Sequence, residues 1–311
     1  MIRVVHLLLK LRADLLKNIT MNRRNFLKII GINLPFLSNL AIAKTTNLHR
    51  YYWNGIFFGN PAEMIIISES KNKVLKLINR ILVELNRLEK VFYLQRNDSQ
   101  INQLNKNKIL YSPDSDLVNA IRLSEKFYSI SKGTFDITVQ PLWNAFIKEK
   151  KPNLLGIGFQ NIEYSNKIVL LSNKNTEITL NAIAQGIITD RINEIILNNG
   201  INNCLINFGE GKGNGIDLNN KKWKVKMNDI EYEIQNNGFS YTDPKSTLLP
   251  NGKHHLFNAL DKDSSKFSRA TAVIAKSATL ADILSTTYSI SDNLTRNKIK
   301  KAFPKANIVS S

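Results

Sequence analysis

Between residues 71 and 90, Val74, Leu77, Ile78, Ile81, Leu82, Leu85 and Leu88 recur at intervals of three and four, with Lys, Asn, Arg and Glu between them. That period draws one apolar stripe along a helix, which must bury it against another layer. The neighbouring segments supply strands. Ile56 to Phe58 and Met64 to Ser68 read as a hairpin around Gly59-Asn60-Pro61, rich in aromatic and β-branched residues. A second amphipathic helix is expected over 115–131, with Leu117, Ala120, Ile121, Ser124, Phe127 and Tyr128 on one side and Ser112-Pro113 or Ser115 as its start. A third covers 184–197, and short strands are expected at 168–171, 177–180, 204–208, 223–227 and 272–275. Strands and helices mixed without strict βαβ alternation predict an α+β fold.

The beginning of the chain carries an address. Asn22-Arg23-Arg24-Asn25-Phe26-Leu27-Lys28 is a twin-arginine pattern, followed by an apolar stretch from Ile29 to Leu40 and the small-x-small site Ala41-Ile42-Ala43. A membrane anchor is the competing reading, but that stretch is interrupted by Gly31, Asn33 and Pro35 and falls short of the roughly 20 apolar residues a span requires. Residues 1–43 are therefore expected to be an export signal directing the protein to the periplasm, with Met21 as an alternative start. The folded domain is expected over 44–311, and no later segment is apolar enough to span a bilayer.

The formal net charge is +18, of which about +12 belongs to residues 44–311 because the signal holds seven Lys/Arg and one Asp. The lysines are scattered, with no basic stripe interleaved with aromatics, so a nucleic-acid partner is not expected. Cys204 is the single cysteine and sits in the apolar run Cys204-Leu205-Ile206, which rules out an internal disulfide and predicts a buried, inert thiol.

Near the C-terminus, Ala278-Thr279-Leu280-Ala281-Asp282-Ile283-Leu284-Ser285-Thr286 places a carboxylate and a hydroxyl four residues apart on a helix, hence on one face. Such a pair in a surface cleft suits a hard divalent cation such as Mg²⁺, although Asp and Thr at that spacing also occur on plain solvated faces. Gly209, Gly211, Gly213 and Gly215 allow close backbone approach to phosphate, or simply form a turn between strands. Asp136 reads equally as a turn or cap residue, and His255 as a general base or a packed side chain.

Five patterns follow one another along the chain. They are Asp98-Ser99-Gln100-Ile101…Asn105, then Gly133-Thr134-Phe135-Asp136-Ile137-Thr138-Val139-Gln140-Pro141-Leu142, then Leu180-Asn181-Ala182-Ile183-Ala184-Gln185-Gly186 with Asp190, then Asn207-Phe208-Gly209-Glu210, and finally Asp282 to Thr286. This succession resembles the ApbE family of FAD:protein FMN transferases. The opening Trp53-Asn54-Gly55-Ile56-Phe57-Phe58-Gly59, with the twin-arginine signal, looks more like the NosX branch, accessory proteins of nitrous oxide reductase maturation.

The resemblance implies an α+β fold of two subdomains with mixed or antiparallel sheets, FAD held between them, and Mg²⁺-dependent transfer of FMN to a Thr or Ser hydroxyl with release of AMP. Asp282 and Thr286 match the side-chain metal ligands, and Ala182 the backbone-carbonyl ligand. Thr134, Phe135 and Asp136 match a flavin-contacting stretch, and His255 with Leu256 a segment beside the cofactor. The implied partner is an acceptor flavoprotein of a membrane electron-transfer complex, the nitrous oxide reductase regulator or electron donor. The chain also departs from the pattern, since the acidic residue that opens the family's glycine-rich motif is Thr179 here and its lysine is Gln185. A cation near the phosphates is thus missing, so binding without turnover, as in a flavin carrier or assembly factor, stands as the alternative.

Overall fold

The computed structural model describes residues 47–311, so the expected export signal, with Arg23, Arg24 and Met21, lies outside the described residues. Strands β1 (His49–Phe57) and β2 (Asn60–Ser68) form the expected hairpin and are longer than their apolar runs. Its turn is Phe58-Gly59, and Asn60 and Pro61 already belong to β2. Both turn residues have positive φ, +49° and +74°, the combination that matches the natural twist of a two-residue hairpin and favours glycine.

Helix α1 (Lys71–Phe92) follows, started by Ser70, whose hydroxyl accepts the Lys73 N–H at 3.3 Å. Next come α2 (Gln100–Asn107), β3 (Ile109–Tyr111) and α3 (Ser115–Ile130). The cap of α3 is Asp114, which accepts the Asp116 N–H at 2.8 Å, rather than the serines on either side. After α4 (Gln140–Ile147), β4 (Ile162–Tyr164) and β5 (Ile168–Leu171) complete a three-stranded sheet with β3 in the order β3-β5-β4.

The remaining elements are α5 (Ala184–Asn198), β6 (Cys204–Asn207), β7 (Gly211–Asn214), β8 (Trp223–Met227), β9 (Ile230–Ile234), β10 (Asn237–Thr242), β11 (Phe257–Asn258), β12 (Asp263–Ser264), β13 (Thr271–Ala275), α6 (Ala278–Ile290), α7 (Asn293–Ala302) and β14 (Asn307–Ser310). Seven strands make one sheet in the order β1-β2-β6-β7-β10-β13-β14, antiparallel at every pairing. The expected α+β class is what forms.

Alternation along these strands sends side chains to two different cores. Met64, Ile66, Cys204, Ile206, Val273 and Ala275 face the helices, where they meet the stripe of α1 and Ile188, Ile192 and Ile196 of α5. Ile67, Phe239 and Ala272 face the other way, under the β8–β9 ribbon with Trp223, Met227 and Ile234. Fully buried side chains such as Ile81 and Leu88 each contribute roughly 2 kcal/mol relative to exposure.

The expected strand over 177–180 does not form. The Ile178 N–H donates to Asn105 Oδ1 at 2.7 Å and Asn105 Nδ2 donates back to the Ile178 carbonyl at 2.8 Å, while the Thr179 N–H bonds the Ile137 carbonyl. The segment spends its backbone groups on a side chain of α2 and on a loop, so no neighbouring strand pairs with it.

Helix α6 is buried nearly all round, between α5 on one side and β10 and β13 on the other. Small residues allow this. A Cβ on Gly238 of β10 would collide with the backbone of Ser277 and Ala278, and one on Gly186 of α5 would lie 2.6 Å from Thr279 Cα. The close packing of α5, α6 and β10 brings their polar side chains to one place.

Candidate functional site

That place is a cavity of about 360 Å³. Its walls are the segment Phe135–Gln140 leading into α4, the turn 179–185 leading into α5, the face of α6 that carries Asp282 and Thr286, the end of β10, and His255 to Phe257. Asp282 and Thr286 therefore share one face, as their spacing predicts. Asp282, however, is not a surface-cleft residue. It is only 3% exposed, because α6 is enclosed between layers.

Asp282 is tied to the start of α5. Ile183 provides that helix with no side-chain cap, and the Gly186 N–H donates to Asp282 Oδ2 at 2.9 Å. Gly186 lies in the first turn of α5, where N–H groups have no carbonyl partner within the helix, and Asp282 supplies one. Ala182, just before the helix, lines the cavity. Asp190, in turn, accepts the Ala278 N–H at 3.0 Å, the Thr279 N–H at 2.8 Å and the Thr279 hydroxyl at 2.6 Å, completing the start of α6 with Ser277.

Burial decides the charge states here. It pushes the Asp282 carboxyl up to about 8, with the Asp190 charge adding to the effect and the Gly186 N–H opposing it. Glu210, also walling the cavity, is raised well above the carboxylate range by burial and by the Asp282 charge, against the Ser240 hydroxyl. Asp136 rises to about 6 through burial, opposed by the Thr138 N–H and hydroxyl, both donating to its Oδ1 at 2.8 Å. Asp136 is thus a cap residue and a cavity residue at once.

His255 is depressed below its ordinary value, chiefly by burial. Its Nδ1 lies 3.2 Å from the Thr247 carbonyl, which can only accept, so Nδ1 carries the proton of that bond and Nε2 keeps a free lone pair. The ring stands edge-on to Trp143, 6.4 Å between centroids. Phe135, Leu256 and Phe257 add apolar wall. Thr179 and Gln185 line the cavity as well, and Gln185 Nε2 donates to the Phe208 carbonyl at 3.0 Å. Thr134 stands behind the wall, its carbonyl accepting the Ala259 N–H at 3.2 Å.

The glycines do not serve the cavity. Gly211 lies beneath the Phe239 ring and Gly213 beside Trp223 and Ile234, so they make room for side chains in the second core. Gly209 abuts the Gln185 amide. The Cys204 thiol is buried and pushed up to about 11 by that burial, which agrees with an inert role.

The sequence model of the ApbE family matches residues 58–303. The chain belongs to the ApbE family. No curated protein is significantly similar to it in sequence. Among solved structures, a mutant of the flavin transferase ApbE from Vibrio cholerae superposes with a TM-score of 0.73 at 15% identity, covering 84% of this chain and 92% of that one. The apo form of the Pseudomonas stutzeri flavinyl transferase ApbE gives 0.73 at 17%, covering 84% and 95%. The ApbE protein from Thermotoga maritima gives 0.72 at 19%, covering 84% and 94%. At these identities the likeness establishes a shared fold.

Within this ApbE fold the cavity wall has an unusual balance of charge. Among the described residues it presents four carboxyl groups, those of Asp136, Glu210, Asp243 and Asp282, and no Lys or Arg. Lys212 is nearby and buried, but its Nζ is committed to the Lys276 carbonyl at 2.7 Å and lies 4.0 Å from Asp190. Glu210 Oε2 is buried with no hydrogen-bond partner among the described residues. A buried carboxyl oxygen without a partner, a second buried carboxyl, a hydroxyl and a backbone carbonyl lining one cavity make an all-oxygen donor set, which fits a hard divalent cation. The sequence offers one signal for Glu210, an acid between glycines just before a strand that is buried throughout.

Proposed function

We propose that the protein is an exported, Mg²⁺-dependent FAD:protein FMN transferase acting on a Thr or Ser hydroxyl of an electron-transfer partner. One observation carries the reading: a cavity of flavin-compatible apolar wall with four carboxyl groups and, among the described residues, no Lys or Arg accepts a diphosphate only with a cation. Asp282, Thr286 and the Ala182 carbonyl are the groups available to hold Mg²⁺. When bound, the ion neutralises phosphate oxygens and stabilises the charge of the departing group.

The chain's own residues do the rest. Phe135, Trp143, Leu256 and Phe257 offer apolar surface for the flavin ring. The acceptor Oγ attacks the FMN-side phosphorus of FAD, the bond from that phosphorus to the bridging oxygen breaks, and AMP leaves. The acceptor hydroxyl proton passes to His255 Nε2, held in the right tautomer by the Thr247 carbonyl. The twin-arginine pattern supports action in the periplasm, and the NosX-like opening supports an acceptor in the nitrous oxide reductase system.

Incubating the purified protein with FAD, Mg²⁺ and a candidate acceptor tests this directly. Covalent flavin on the acceptor by in-gel fluorescence, an FMN mass increment and AMP release that Asp282→Asn abolishes are expected. FAD bound without AMP would favour the carrier reading, which Gln185 supports because its amide is committed to the Phe208 carbonyl and brings no charge to the phosphates.

A further inference from the structure

We propose that Glu210 is a second carboxylate ligand of the divalent cation, acting with Asp282, Thr286 and the Ala182 carbonyl. The inference rests on the Mg²⁺ reading above and assigns a residue that this reading does not require. Glu210 is only 9% exposed, and among the described residues its Oε2 has no hydrogen-bond partner, the Ser240 hydroxyl being the one group that favours its charged form. Buried carboxyl oxygens are nearly always hydrogen-bonded, so an unpartnered one on a residue that lines the cavity marks a missing partner.

The backbone holds the side chain there. The Glu210 carbonyl accepts the Phe208 N–H at 3.0 Å and the Thr189 hydroxyl at 3.0 Å, which anchors the residue between β6 and α5 just before β7 begins. Asp282 reaches the same cavity from the opposite layer. No Lys or Arg among the described residues of the wall can balance the two acids when they ionise, and the buried Lys212 is occupied elsewhere. A small dication supplies both the missing partner for Oε2 and the missing positive charge. Mg²⁺ sites commonly use one or two carboxylates and leave the remaining positions to water and substrate phosphate.

The alternative is that Glu210 is a neutral, space-filling acid, and Glu210→Gln separates the two because it keeps the shape and removes the charge. Mn²⁺ binding followed by electron paramagnetic resonance, and Mg²⁺ binding by calorimetry, are measured on the full chain with and without FAD. A ligand role predicts affinity weaker by about 10–100-fold in Glu210→Gln, partial recovery in Glu210→Asp, and a fold retained in EDTA by circular dichroism. Wild-type affinity in Glu210→Gln, with binding lost in Asp282→Asn, would overturn the assignment and leave the Mg²⁺ reading standing. Absence of metal binding by the wild type under both conditions would remove both. Should Glu210→Gln not fold, Glu210→Asp decides alone, since only a ligand predicts altered metal affinity from shortening the acid.

Discussion

Asp190 and Asp282 cap each other's helices. Asp190 of α5 takes the first two N–H groups of α6, and Asp282 of α6 takes the Gly186 N–H at the start of α5. Each carboxylate thereby sits at the positive end of the opposite helix dipole. The contact that positions the metal-binding acid is consequently also a fold contact between elements far apart in sequence. Asp190→Ala removes three hydrogen bonds at 2.6–3.0 Å from one cap. It should cost about 2 kcal/mol in urea unfolding and weaken Mg²⁺ binding, although Asp190 does not line the cavity. Unchanged stability would show that Ser277 alone suffices to start α6.

Gly186 makes the second prediction. A methyl group there would stand 2.6 Å from Thr279 Cα and 2.7 Å from the Ala278 carbonyl, both backbone atoms that a rotamer change cannot move. Gly186→Ala should therefore push α5 from α6, with a stability loss of about 1–3 kcal/mol despite alanine's better helix propensity. Lengthening of the Gly186–Asp282 bond should lower metal affinity in parallel. Comparing urea midpoints and Mn²⁺ affinity of the variant and wild type checks both.

Stability without metal should fall as pH rises. The Asp282 carboxyl titrates near 8 in the folded chain and at its ordinary 3.8 when unfolded, so between these values the folded state holds a proton that the unfolded state has lost. Uptake on folding means that raising the pH favours unfolding across that window. Glu210 and Asp136 are shifted the same way and deepen the trend, while His255, shifted down, opposes it only as the pH drops below its ordinary 6.5. In EDTA the melting temperature should decline from pH 5 to 8, the decline should shrink in Asp282→Asn, and saturating Mg²⁺ should stabilise more at pH 8 than at pH 5. A flat profile in EDTA would contradict the burial of these carboxyls.

The parts of the fold legible in the sequence are those where local pattern and burial agree. The stripe of α1, the strands Ile168–Leu171 and Trp223–Met227, and the Asp282–Thr286 face were all readable because side-chain period mirrors the layer they pack on. Helix α2 was not, since Asn and Gln dominate Gln100–Asn107 and its helix depends on the Ser99 cap and on Ile101 and Leu104 reaching the core. Strand β7 hides behind two glycines in four residues, and the reasons for them lie elsewhere in the chain: Phe239 of β10 for Gly211, Trp223 and Ile234 for Gly213. Glu210 shows in the sequence only as an acid between glycines. What makes it distinctive is the absence of a donor near Oε2, a property of the surroundings and not of the motif.

His255 separates binding from chemistry. Its Nε2 is the free acceptor of the ring, and its depressed pKa keeps it unprotonated at neutral pH. His255→Gln keeps a donor toward the Thr247 carbonyl and a polar group toward the cavity but cannot take a proton there. FMN transfer should fall by roughly 10²–10⁴-fold in kcat, the range for loss of a general base, while FAD affinity stays within a few-fold of wild type. The wild-type rate should rise with pH through a value below 6.5 and level off by pH 7, because the base works only once deprotonated. That rising limb should vanish in the variant. Stopped-flow measurement of AMP release against pH, alongside equilibrium FAD titration, reads both quantities. Loss of FAD binding with kcat intact would make His255 a wall of the flavin site and leave the proton to another acceptor.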